Sequence, residues 1–349
     1  MTARSAATGG RPPRRFGSDN QAGTHPAVLA ALTAANADHA DGYGADPATA
    51  ELADVIARHF GPGALGVPVF SGTGANLVAL GALTERWRPI LCAASAHIAT
   101  AEGGGPEQVT GAKLIGLSTA DGKLTPAAIA AALAEPPSVH RSPPGVVSLT
   151  QPTELGTVYT PAELAAVVAV AHEGGARVHL DGARLANAAA GLGTGLAAAS
   201  LDAGVDVVVL GGTKNGLAFG EVLATRDPGI AASLVRARKG LGQLGSKLRF
   251  LSAQLVAMYG GDLWSTLAAT ANERARALAA GLAALPGVTV LQPVEANLVL
   301  ARVPSPAAAE LLRARYAVQL VGDAHRLVCS WDTTPADVDA LLAELAATA

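Results

Sequence analysis

The sequence predicts an α/β fold, a mainly parallel sheet with helices on both faces, followed by a small C-terminal α+β domain. Three observations carry this expectation. Short β-branched runs alternate with Ala/Leu-rich helical stretches through most of the chain, the pattern of strands joined by crossover helices. Half of the 349 residues are hydrophobic and 15% are charged, which suits a compact chain with a well-buried core. Near the C-terminus the alternation changes to a shorter βαβα pattern.

The elements follow in order. Residues 1–15 are rich in Gly, Pro, Ser and Arg and read as a flexible tail. An Ala/Leu-rich helix is expected over 26–36, with Thr24 as its N-cap. A turn at Gly42-Tyr43-Gly44 precedes a helix over 47–60. The runs 67–70, 146–149, 178–180 and 205–210 read as buried strands. A long helix over 264–285 stops at Pro286-Gly287 and leads into strand-like 288–291 and 298–302. A helix over 304–315, a strand over 326–330 and a final helix from Pro335 complete the chain. The expected organisation is a tail at 1–15, a large domain at 16–260 and a small domain at 261–349.

Composition excludes several classes. A net charge of −3 offers nothing to nucleic acid or to an acidic membrane surface. The two cysteines, Cys92 and Cys329, lie far apart in apolar surroundings and read as buried thiols, with neither a disulfide framework nor a metal site. No apolar run reaches the ~20 residues of a membrane span. The N-terminal arginines have no hydrophobic stretch behind them, so a secretory signal is not expected and the cytoplasm is.

Three features fall where strands end, the place at which parallel α/β sheets bind ligands. Ser71-Gly72-Thr73-Gly74-Ala75-Asn76 follows a strand and opens a helix near Asn76. Its glycines let the backbone close on a phosphate at a helix N-terminus. It lacks the Lys-Ser/Thr of a P-loop, and no acidic residue stands where a dinucleotide ribose would need one. Tight-turn glycines without a ligand remain an alternative. In His179-Leu180-Asp181-Gly182-Ala183-Arg184, Asp181 ends an apolar strand with a cation three residues on. Such a carboxylate suits the protonated nitrogen of a bound ring, although a turn aspartate would look the same. Gly211-Gly212-Thr213-Lys214-Asn215-Gly216 places a glycine-flanked lysine directly after a buried strand, the setting of a Schiff-base lysine. One strand–helix–strand step separates Asp181 from Lys214 and puts both at neighbouring strand ends.

Together these segments resemble the threonine aldolase family, pyridoxal-phosphate lyases of the aspartate-aminotransferase fold (fold type I). The resemblance runs from about Phe16 to the C-terminus and includes Ser18-Asp19-Asn20, Tyr43-Gly44-Ala45-Asp46, Ala96-His97 and Arg326 to Thr333. It implies that Lys214 carries pyridoxal 5′-phosphate, that Asp181 pairs with its ring nitrogen, and that Gly72, Thr73 and Gly74 hold its phosphate, with Thr213 beside them. It further implies that His97 stacks on the ring, and that Arg184 and Arg326, with Ser18, grip the substrate carboxylate. It implies too that Tyr43 faces a site, its own or that of a neighbouring subunit, in a homodimer or homotetramer with active sites between protomers. One cation of the basic segment Arg236 to Arg249, which holds Arg238, Lys239, Lys247 and Arg249, reaches a neighbour's phosphate on the same analogy.

One departure matters. Many family members carry a histidine after the position of Thr153, and here Glu154 stands there. The group that removes the substrate's β-hydroxyl proton is therefore open between His97, Glu154 and an ordered water, with His140 as a stand-in. The expected reaction is retro-aldol cleavage of threonine or allo-threonine to glycine and acetaldehyde. The rivals are β-elimination, racemisation or transamination on the same scaffold, or a non-catalytic binding protein that keeps the fold.

Overall fold

Two sheets organise the protein, and the computed structural model describes residues 14–134 and 138–348. The strands are β1 (Leu65–Val69), β2 (Ile90–Ala93), β3 (Leu114–Leu117), β4 (Val146–Thr150), β5 (Arg177–Asp181), β6 (Val207–Gly211), β7 (Glu221–Thr225), β8 (Thr289–Val290), β9 (Leu298–Arg302), β10 (Gln319–Val321) and β11 (Ala324–Val328). The helices of the large sheet are α1 (Pro26–Ala35), α2 (Pro47–Phe60), α3 (Gly72–Leu83), α4 (His97–Thr100), α5 (Gly105–Thr110), α6 (Pro126–Leu133), α7 (Pro161–Glu173), α8 (Leu185–Leu192), α9 (Pro228–Gly240) and α10 (Arg249–Tyr259). The long α11 (Leu263–Ala283) leads to α12 (Pro306–Ala314) and α13 (Pro335–Ala346).

The large sheet has seven strands in the order β1-β7-β6-β5-β4-β2-β3. From β6 to β3 every pairing is parallel, while β7 runs antiparallel to both β6 and β1. The sheet is mainly parallel, as the alternation requires, with one reversed strand inside it. Its central strands are deeply buried because helices cover both faces: Val207 to Leu210 and Val146 to Leu149 are almost wholly shielded. The parallel pairing of β5 with β6 sets His179 against Val207, so Asp181 and the residues after Gly211 emerge side by side. The second sheet, four strands in the order β10-β11-β9-β8, is antiparallel throughout.

Several expectations need correction. Thr24 does not cap α1; the His25 Nδ1 accepts the Ala27 N–H at 3.2 Å. Helix α3 begins at Gly72 rather than near Asn76, because Ser71 Oγ accepts the Gly74 N–H at 3.1 Å and caps it there. Of the expected tail, 1–13 lie outside the described residues, and Arg14 is tied to Asp332 by an ion pair of 2.7 Å. Helix α11 contributes to both cores. Along α11, Trp264 to Ala268 pack with the large sheet, whereas Ala275, Leu278 and Leu282 pack with the small one. Phe16 also belongs to the small-sheet core, held by its N–H to the Tyr316 carbonyl at 2.9 Å. No helix among the described residues is long and apolar enough to cross a membrane, and no His/Cys/Asp/Glu cluster there could hold a metal ion.

Candidate active site

The carboxyl ends of β4, β5 and β6 and the first turn of α3 open onto one cavity of about 310 Å³. Small-molecule sites run from roughly 300 to 1,000 Å³, so this one suits a single compact ligand pair. Its wall brings together Gly72, Thr73, His97, Glu154, Asp181, Arg184, Thr213 and Lys214. Ser18, Tyr43, Gly74 and Arg326 stand off that wall.

Each placement has a local cause. At the head of α3, Ser71 takes the N–H groups of Gly74 and Ala75, the latter through its carbonyl at 2.8 Å. Gly72 and Thr73 stay on the cavity side, at the positive end of the helix. Gly74 serves packing instead: a Cβ there would lie 2.3 Å from Gln243 Oε1, the atom that accepts the Phe70 N–H. Asp181, 4% exposed, is fixed by both oxygens. Its Oδ1 accepts the Ala183 N–H at 3.0 Å and its Oδ2 accepts from Asn76 Nδ2 at 2.9 Å. Lys214 rides on a single helical turn, 213–215, just beyond β6. Backbone crowding keeps the two strand ends together, since a Cβ on Gly211 would meet the Ala183 carbonyl oxygen at 2.3 Å.

A hydrogen-bonded chain runs along this wall. His97 Nδ1 pairs with Glu102 Oε1 at 2.8 Å, and Asn76 Nδ2 donates to that same oxygen at 2.7 Å while also reaching Asp181. The bond from Glu102 holds His97 above the usual imidazole range; burial opposes it, and the Glu154 charge adds to it. Glu154 itself accepts from Arg326 Nη1 at 2.9 Å, so Arg326 reaches the cavity through a carboxylate it already pairs with.

Arg184 is largely committed. Its Nε and Nη2 donate to the two oxygens of Asp19 at 2.6 and 3.0 Å, and both side chains are buried. Burial is the largest influence on Asp19 and pushes its carboxyl upward, yet Arg184, Lys214 and Asn297 together outweigh it and hold it below the usual range. Ser18 caps the short turn that presents Asp19, accepting the Asn20 N–H at 3.2 Å, and Asn20 reaches the cavity in its place.

Other expected residues lie elsewhere. Tyr43 is 58% exposed, with Lys239 Nζ 5.0 Å from its ring centroid. Arg238 of the basic segment is buried and donates to the Pro68 carbonyl at 3.2 Å. Arg249 donates to the Asp38 carbonyl at 3.0 Å. His140 sits at an exposed turn on a separate hollow with Pro89 and Lys113. Five wall residues went unnoticed in the sequence: Glu102, Thr150, Pro152, Phe219 and Glu221. Of these Glu221 carried a signal, a lone carboxylate at the head of an otherwise apolar strand.

A lysine, a fixed carboxylate and free helix-N-terminal N–H groups in one cavity are the donor set that pyridoxal phosphate requires, and His97 adds a flat ring on the same wall. Fold and site thus define the class: a pyridoxal-phosphate enzyme of fold type I. Comparison with known proteins narrows it. The beta-eliminating lyase family matches residues 15–305. The low specificity L-threonine aldolase of Pseudomonas aeruginosa is 43% identical over 325 residues, 92% of this chain and 93% of that protein. The solved threonine aldolase of Leishmania major superposes with a TM-score of 0.88 at 29% identity, covering 95% of this chain and 98% of that one. A serine palmitoyltransferase of S. paucimobilis with bound PLP shares the fold alone, with a TM-score of 0.72 at 20% identity over 95% of this chain and 86% of its own. The chain belongs to the beta-eliminating lyase family, among its threonine aldolases.

Proposed function

We propose that the chain cleaves a β-hydroxy-α-amino acid, threonine or allo-threonine, between Cα and Cβ, giving glycine and an aldehyde. The observation that carries this reading is the pairing on one wall of two proton acceptors, His97 and Glu154, with Lys214 and Asp181. Retro-aldol cleavage needs a base at the β-hydroxyl, in addition to the groups that hold the cofactor.

Bound pyridoxal phosphate supplies the electron sink for the broken bond. Lys214 would hold it, Asp181 would keep its ring nitrogen protonated, and Gly72 and Thr73, with Thr213 alongside, would bind its phosphate. His97 would lie against its ring. Its Nδ1 is engaged by Glu102, so Nε2 is the nitrogen left to take the β-hydroxyl proton. Glu154, which lines the cavity and accepts from Arg326, is the second candidate. His140, on its separate hollow, drops out of this role. The substrate carboxylate is assigned to Arg326 and to the Nη1 of Arg184, the nitrogen that Asp19 leaves. Ser18 acts one step back, by capping the turn that carries Asp19.

The same reading takes the protein as a cytoplasmic homodimer or homotetramer. Exposed Tyr43 beside Lys239 supports a surface that completes a neighbour's site. The deciding experiment offers the purified protein L-threonine and L-allo-threonine. Glycine and acetaldehyde in equal amounts are expected. A keto acid with ammonia, an inverted amino acid or a transferred amino group would overturn the assignment.

A further inference from the structure

Glu221 has no part in the reading above, yet it lines the same cavity as Lys214. It is the first residue of β7, 4% exposed, and stands in register opposite Gly211 at the end of β6. Its side chain reaches the cavity wall that also carries Lys214. Oε2 accepts the Gly212 N–H at 2.6 Å, and the carboxyl is also bonded to the Thr213 side chain. Thr213 Oγ1 in turn accepts the Gly220 N–H at 3.0 Å. These contacts close the loop 212–220 at its base, with Lys214 inside it.

An amide would close the loop as well, because it too accepts an N–H. A carboxyl is the costlier choice in an apolar strand unless its charge is used. Burial pushes Glu221 up to about 7, although the bonds from Thr213 and Gly212 and the Lys214 cation all pull it down. The charged and titratable groups around it are Lys214, Asp181 on β5, and Tyr259 on α10, whose hydroxyl donates to the Gly211 carbonyl.

We propose that Glu221 is a positioning residue for Lys214: by binding Gly212 and Thr213 it fixes the turn that carries Lys214, and its carboxylate on the same cavity wall favours the protonated form of the nitrogen that Lys214 bonds to the cofactor. The proposal rests on Lys214 being the lysine that carries the cofactor.

The test is a pH titration of the holoenzyme's visible absorption band in the wild type and in Glu221→Gln. Glutamine keeps the acceptor for Gly212 but removes the anion, so the midpoint should fall by about one pH unit, roughly tenfold in proton affinity, with cofactor retained. Glu221→Asp keeps an anion and should titrate close to the wild type. Identical midpoints in wild type and Glu221→Gln would overturn the proposal. Should Glu221→Gln fail to fold, carbon-13 carboxyl NMR of Lys214→Ala serves: the Glu221 carboxyl should bind its proton more tightly without the lysine cation, and an unchanged titration overturns the proposal. If the wild type shows no titrating band and borohydride fixes no cofactor to Lys214, the reading of Lys214 itself has failed. A band that titrates identically in both proteins sinks only the role of Glu221.

Discussion

Replacing Asp19 with alanine removes one side of a buried ion pair and leaves the other uncompensated. Asp19 accepts from Arg184 Nε and Nη2 at 2.6 and 3.0 Å and from Asn297 Nδ2 at 3.1 Å, joining the N-terminal segment to the start of α8 and to the residue before β9. Its side chain is fully shielded and that of Arg184 is 7% exposed, so water cannot replace the lost partner without local opening. Breaking such a pair from one side costs about 3–5 kcal/mol. Replacing both members with apolar residues of similar size, Asp19→Leu with Arg184→Met, should cost less than either single change, because no charge is left stranded. Urea unfolding followed by circular dichroism measures both, with unfolding rates substituted if refolding is incomplete. The sign of the pH dependence follows from the lowered folded-state pKa of Asp19. Its stabilisation is present above the unfolded value of about 4 and is lost as the pH falls through the folded value, so wild type and Asp19→Asn should converge only in acid. A loss below about 1 kcal/mol for Asp19→Ala, or a double variant as weak as the sum of the singles, would refute the reasoning.

Two further outcomes follow from the site. Glu102→Gln removes the charge that raises His97, so the acid limb of the kcat/KM–pH profile should move to lower pH; an unmoved limb would remove His97 from the role of base. Gly211→Ala should unfold the protein more easily and weaken cofactor binding together, since its Cβ would lie 2.3 Å from a backbone oxygen that cannot step aside; thermal melts with and without pyridoxal phosphate test it.

The large features were legible because they are local. Apolar runs of strand length and one strand–helix–strand spacing suffice to set Asp181 beside Lys214, and the β5–β6 pairing places them there. The features missed are long-range or hidden by local composition. Glu102 lies in Ala101-Glu102-Gly103-Gly104, which reads as a loop, and only the fold turns it back onto His97 and Asn76. Asp19 was visible in Ser18-Asp19-Asn20, but its partner is 165 residues away and no periodicity reports such a pair. The reversed β7 follows Phe219-Gly220 with no hairpin signature, so its direction is decided by pairing with β6 and β1 rather than by its own residues. The N-cap of α1 passed from Thr24 to His25 because an imidazole nitrogen serves as acceptor as well as a hydroxyl oxygen does.

Borohydride reduction of the holoenzyme followed by peptide mapping tests the assignment of Lys214 most directly. One pyridoxyl-modified residue is expected, Lys214, and none in Lys214→Ala. Modification at another lysine, or cofactor fixed equally well in Lys214→Ala, would contradict it.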